Sequence, residues 1–253
     1  MAFPVVESVT ITANLTNAGN NDGYEVNLPA TIEADDLLIV ILSVYRFGLI
    51  TSDGSVPSGW TKIAYREDGV LSWLVAYKQA SGSEGATLNV AVRDSTTRRA
   101  AAQVYRITGW NSVEFPTFVT GATSTPNPPN VTASWGVADN LFLALGGAAD
   151  DDESWTSAPS NYTNLTSTLS GGGTNNSACT GSARRELAAA SDNPGTFTLS
   201  GVERWAVTTC VIEPGSKGGS AGTTITASGA GVLHQIGNQY MAVAASRLNG
   251  VLQ

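Results

Sequence analysis

The chain is poor in the groups that do most enzyme chemistry. Its 253 residues include one histidine, two cysteines and 13 lysines and arginines together. His234, Cys179 and Cys210 are widely spaced, and one imidazole with two distant thiols cannot supply the four ligands of a structural zinc site. A histidine-based triad would require His234 to meet a nucleophile and an orienting acid, and no spacing in the sequence arranges that. Two cysteines are also too few for a disulfide framework. Cys210, within the apolar run 207–212, reads as a small buried hydrophobe, and Cys179 as a candidate neighbour across a sandwich. Cations are scarce as well: 21 acidic residues leave a net charge of −8, and lysine occurs only at 62, 78 and 217. Phosphate backbones are repelled by that balance, which argues against a nucleic-acid partner. Arg98-Arg99 and Arg184-Arg185 read as solvated loop or strand-end charges. No apolar run approaches the roughly 20 residues of a membrane-spanning helix, so no membrane insertion is expected. The first residues, Met1-Ala2-Phe3-Pro4-Val5-Val6-Glu7, lack a basic region followed by a long apolar one, so synthesis in a cytoplasm is expected.

Helix signals are nearly missing too. Ala100-Ala101-Ala102 and Leu187-Ala188-Ala189-Ala190 have helical propensity but sit in strand-length windows beside β-branched or aromatic residues. The first is expected to be a strand, the second the end of a strand running into a turn at Asp192. What the chain has instead is alternation of apolar residues with Thr, Ser or Asn, as in Val9-Thr10-Ile11-Thr12-Ala13 and Ala86-Thr87-Leu88-Asn89-Val90. Period two with β-branched enrichment predicts strands with one wet face. Residues 37–44 and 141–145 are nearly continuously apolar, as expected of central strands covered on both faces.

The landmarks recur. Asp36-Leu37-Leu38-Ile39-Val40, Pro57-Ser58-Gly59-Trp60-Thr61 and Gly85-Ala86-Thr87-Leu88 are echoed by Asn140-Leu141-Phe142-Leu143-Ala144, Pro159-Ser160-Asn161-Tyr162-Thr163 and Gly195-Thr196-Phe197-Thr198-Leu199. Their separation, roughly 100 to 110 residues, is the size of a β-sandwich. The expected fold is therefore all-β: two tandem jelly-roll-like antiparallel β-sandwiches from an internal duplication, plus a short C-terminal β arm. Residues 1–115 make the first repeat and 116–214 the second, the boundary falling in the proline-rich stretch 116–129. Residues 215–253 form a Gly/Ser hinge and an arm too short to bury a core of its own. Thr224, Ile225, Tyr240, Met241 and Val243 of that arm are the expected partner-binding residues.

No catalytic residues stand out, and no cofactor is expected. Asp150-Asp151-Asp152-Glu153 is the densest charge cluster; it reads as a solvated acidic loop, with Ca²⁺ ligation as the alternative because hard oxygens on a loop suit that ion. Used as a glycosidase pair, these carboxylates would have to flank a bond at a fixed separation, which four consecutive acids do not set. Trp60 and Tyr162 hold matching positions after Pro-Ser and are expected to pack in the core. Trp110, Trp135 and Trp155 lack repeat partners and lie near loops, which makes them candidate glycan contacts.

The order of elements, Ala-Asp-(Asp/Asn)-Leu opening a buried strand, Pro-Ser-Gly-Trp-Thr, Leu74-Val75-Ala76-Tyr77-Lys78 before a Ser-Gly turn, Gly-Ala-Thr-Leu-Asn-Val, then Val104-Tyr105-Arg106-Ile107-Thr108-Gly109, resembles that of β-rich structural proteins in virions of tailed bacteriophages. The resemblance covers roughly residues 26–214. It implies a non-enzymatic protein of the virion surface, made in the host bacterial cytoplasm, which decorates capsids or builds head fibres or tail appendages. The implied partners are other copies of itself, as a trimer or ring, and other virion proteins, with a host surface glycan as the alternative target.

Overall fold

The computed structural model describes residues 1–16, 23–46, 56–67, 69–91, 98–150, 152–172, 176–218, 232–236 and 239–243. Among these residues no helix occurs, and every sheet is antiparallel. The first seven strands are β1 (Val5–Thr16), β2 (Tyr24–Asn27), β3 (Ala34–Tyr45), β4 (Thr61–Glu67), β5 (Leu71–Ser81), β6 (Thr87–Val90) and β7 (Arg99–Thr108). Five of them form one large sheet in the order β1-β7-β3-β5-β4, while β2 and β6 pair as a separate ribbon.

The chain then runs through β8 (Trp110–Glu114), β9 (Val119–Thr123), β10 (Val131–Thr132), β11 (Asp139–Asp150), β12 (Trp155–Ser157), β13 (Thr163–Leu169), β14 (Ser177–Ala188), β15 (Ser191–Asp192), β16 (Thr198–Leu199) and β17 (Glu203–Pro214). In the second large sheet β9 pairs with β17, and the order continues β17-β11-β14-β13. This matches the first sheet strand for strand, β9 standing where β1 does and β17 where β7 does. Ala100, Ala101 and Ala102 lie within β7, as their neighbours predicted; β14 ends at Ala188 inside the second window, but Ala189-Ala190 make the bend and Asp192, expected in a turn, belongs to β15 and pairs with Val131.

Alternation decides what each strand buries. Along β3, Leu38, Val40, Leu42 and Val44 enter an outer core roofed by the β2–β6 ribbon, while Leu37, Ile39 and Ile41 point the other way. Those three join Trp73, Val75, Tyr105 and Ile107 and meet Leu141, Leu143, Leu145, Cys210 and Ile212 of the second sheet, forming a middle core between the two large sheets. Phe142, Ala144, Trp155, Tyr162, Phe197 and Val211 fill a third core on the far face of the second sheet. Each fully buried large aliphatic side chain contributes roughly 1.5–3 kcal/mol, so the middle core makes the two halves mutually dependent. Residues 1–220 accordingly form one compact unit. The jelly-roll layout does not follow from this strand order. Each half contributes one large sheet with short ribbons over its outer face, and the two large sheets face each other.

The chain also crosses the expected boundary between halves. After Gly109, which has a φ of +67°, β8 leaves the first sheet and pairs with β17, Val113 opposite Ile212 and Glu114 opposite Val211. Residues expected to begin the hinge are folded against the same place: the Gly109 N–H donates to the Lys217 carbonyl at 2.7 Å, and the Lys217 N–H donates to the Trp110 carbonyl at 3.0 Å. Residues 221–253 form a second unit, in which β18 (Val232–Ile236) and β19 (Gln239–Val243) pair antiparallel.

Candidate functional site

The two Pro-Ser landmarks fold into one turn used twice. The Trp60 N–H donates to the Pro57 carbonyl at 3.1 Å, and the Tyr162 N–H to the Pro159 carbonyl at 3.0 Å. The preceding residues, Gly59 and Asn161, have φ of +83° and +65°, a conformation that glycine and asparagine tolerate best. Trp60 and Tyr162 then drop into the two outer cores, as their matching positions predicted. The Tyr162 hydroxyl donates to Asp192 Oδ2 at 2.6 Å, and Arg185 Nη1 donates to Asp192 Oδ1 at 2.7 Å. Burial, then the adjacent carboxylate, pushes the Tyr162 phenol well above its ordinary range. Arg184 and Arg185 are thus half-buried members of β14, not solvated charges.

The tryptophans expected to meet sugars are placed differently. Trp110 is 4% exposed, its indole N–H donates to the Asp35 carbonyl at 2.7 Å, and the Lys217 ammonium lies 4.6 Å from its ring. Trp155 is 2% exposed, edge-on to Phe197 at 4.9 Å. It sits over Gly146 and Gly181, where any added Cβ would lie within 2.4 Å of the indole. Neither ring has a face available for stacking on a glycan. Trp155 replaces side-chain volume missing at the glycines. Trp135 is half-buried and donates to Asn140 Oδ1 at 3.0 Å.

Within the acidic segment the side chains of Asp152 and Glu153 are described. Asp151 lies outside the described residues, as does the side chain of Asp150; Asp152 is exposed. Glu153 accepts a hydrogen bond from the Ser200 hydroxyl, which in turn accepts from the Ser154 N–H at 2.9 Å. Among the described residues no group of three or more His, Cys, Asp or Glu side chains is arranged to hold a metal. Cys179 and Cys210 are free thiols on opposite faces of the second sheet, in the third and middle cores. Burial pushes Cys179 up to about 12 and raises Cys210 as well. Thr224 and Ile225 lie outside the described residues. Tyr240, Met241 and Val243 are on β19, their backbones opposite Gln235, His234 and Val232.

Two features went unread in the sequence. One is a polar seam inside the middle core. The Tyr105 hydroxyl donates to Ser182 Oγ at 2.7 Å, and Ser182 Oγ donates to Gln103 Oε1 at 2.5 Å. Gln103 Nε2 reaches the Thr166 carbonyl, Thr168 Oγ1 and the Thr180 carbonyl at 3.1 to 3.2 Å. Burial pushes the Tyr105 phenol up to about 12. The other is an open cleft of about 440 Å³ where β4 and β5 of the first sheet approach β8 and the segment after it. Tyr77 and Phe115 stack in its wall, ring centroids 6.2 Å apart and planes 26° apart, with Lys62 and Glu114 at the same surface. Glu114 is held by the Ser134 N–H at 2.9 Å and the Ser134 hydroxyl at 2.5 Å. Tyr77 ends the Leu74–Tyr77 run and looked like one more strand residue. Only its place beside a strand that changes sheets gives it a partly open face.

The molecule defined by these observations is a double-sheet antiparallel β protein with an appended hairpin. Comparison with family models, with curated proteins and with solved structures yields no match.

Proposed function

We propose that this protein is a non-enzymatic structural component of a tailed-bacteriophage virion surface, a capsid decoration, head fibre or tail part that assembles as a homo-oligomer. The observation that carries the reading is the C-terminal unit, whose described structure is one two-stranded hairpin. An isolated two-stranded hairpin is marginal in water, so the unit gains stability by docking, and a second copy or a neighbouring virion protein is the partner the proposal assigns. The resemblance of the motif order to that of virion structural proteins is a second support for this reading. Removing residues 221–253 leaves the three cores and the Lys217–Trp110 closure in place. The expected result is a folded body with lower mass by light scattering that no longer joins particles. Unchanged mass together with unchanged incorporation would overturn the role given to the hairpin.

A second reading, glycan binding for host attachment, rests on the Tyr77–Phe115 cleft, since aromatic faces beside hydrogen-bonding groups suit sugar rings. Binding on an array of bacterial surface glycans that is lost in Tyr77→Ala would favour it. An array silent for the intact protein would remove it.

A further inference from the structure

We propose that β1 is a self-pairing edge, through which two copies join antiparallel about a two-fold axis at Thr10. This goes beyond the role given to the C-terminal hairpin and uses a different surface.

Among the described strands, each large sheet ends in strands with an unpaired side, and such edges invite association unless they are charged, kinked or covered. The opposite edge of the first sheet, β4, carries Lys62, Arg66 and Glu67 within seven residues. On the second sheet, the β13 edge is engaged from the side: the Thr166 carbonyl accepts from Gln103 at 3.1 Å, and Ser167 Oγ accepts from the Trp155 N–H at 3.1 Å. By contrast, β1 is 12 residues long, contains no lysine, arginine or proline, and pairs only with β7 among the described strands. Its single charge, Glu7, already accepts a hydrogen bond from the Thr108 hydroxyl at 2.8 Å. Two of the large apolar side chains left in water, Val5 at 51% and Ile11 at 48% exposed, belong to it.

The occupant follows from register. Irregularities fall between Val6 and Ser8 and between Thr12 and Leu15, so the uninterrupted stretch is Ser8-Val9-Thr10-Ile11-Thr12. Turned about Thr10, this segment complements itself. Val9 faces Ile11 of the second copy, Ser8 faces Thr12, and Thr10 faces its own counterpart. Apolar side chains meet apolar ones on one face; on the other, Thr10 meets Thr10, while Thr12 is buried and its hydroxyl accepts from the Asn27 N–H of β2 at 2.9 Å, so opposite Ser8 it contributes its backbone alone. Val9 packs partly on the middle core, and Ile11 lies on the same face two residues further along. The exposed Ile11 would thus be covered by Val9 of the partner copy. A two-fold arrangement of this kind is isologous and closes, giving a dimer and not a fibre.

The test is a cysteine on the axis in the full-length chain. Opposed residues of an antiparallel pair have Cα atoms about 4.5–5.5 Å apart, within disulfide reach, and the native Cys179 and Cys210 are buried. Thr10→Cys should convert to a covalent dimer under mild oxidation, seen on a non-reducing gel, while Lys62→Cys on the charged edge should stay monomeric. Adding Ile11→Lys to Thr10→Cys should suppress the cross-link at least tenfold, with the β-sheet circular dichroism retained. Cross-linking of Thr10→Cys no faster than Lys62→Cys, or cross-linking indifferent to Ile11→Lys, overturns the proposal. Because all these variants keep the C-terminal hairpin, either outcome leaves the hairpin's role to its own deletion test.

Discussion

At the scale of single residues, the two large sheets approach closely where a side chain is missing. A Cβ on Gly147 would lie 2.2 Å from both Ser43 Oγ and Trp73 Cδ1, and both neighbours are fully buried. Gly147→Val is therefore expected to lower stability by about 3 kcal/mol or more, since a rigid sheet interface cannot yield by more than an ångström. Urea titration monitored by tryptophan fluorescence would measure it; a loss below about 1 kcal/mol would mean that the sheets can part there. Gly59 is a different case. Its surroundings are open apart from the Lys78 side chain at 3.6 Å, so only its φ of +83° restricts substitution. Gly59→Val should cost about 1–2 kcal/mol, whereas Gly59→Asn, which copies the residue at position 161, should be nearly neutral by the same titration.

Among the elements, the turn after β5 is tied by one carboxylate. Glu84 Oε1 accepts from the Ser81 N–H at 2.8 Å and pairs with the Lys78 ammonium at 2.9 Å, and Oε2 accepts from the Gly82 N–H at 3.0 Å. Burial alone would raise its pKa, but these donors outweigh that and hold it at about 2, below its ordinary 4.5. A depressed carboxylate binds fewer protons folded than unfolded between those two values. Its stabilisation is complete above about pH 4.5 and is lost as pH falls toward 2. Glu84→Gln should thus make the stability curve shallower across that acid window and lower stability at neutral pH. Identical acid limbs for the two proteins would show that the turn does not depend on ionised Glu84.

For the whole molecule, the middle core sets the cooperative unit. A fragment ending at residue 115 would expose Leu37, Ile39, Ile41, Trp73 and Val75 to water and carry β8 without β17 to pair with. It should be insoluble, or bind a hydrophobic dye such as ANS, and co-expression with residues 116–220 should restore solubility. A monomeric fragment with sharp near-ultraviolet dichroism would contradict this. The strand layout was readable because it follows from local rules: the apolar run 37–44 became a central strand, and the alanine window 100–102 beside valine and tyrosine became a strand. The stacking of one large sheet on the other was not readable, because period two says which residues point inward but not against what. One signal was present, since glycines inside an otherwise apolar strand, as at 146 and 147, mark close approach. The tryptophans misled for the same reason. Nearness to a loop in sequence did not reveal that Trp155 fills the space above Gly146 and Gly181, or that Trp110 is folded under residue 217.

The Gln103 seam has a mechanical consequence. Greasy layers resist separation but slide past one another cheaply, whereas a directional knot from β7 to the backbones of β13 and β14 is strained by any lateral shift. Traction applied along the strands loads all of these bonds in parallel, so the slabs must give way together or hold. The consequence is resistance to shear between the two sheets.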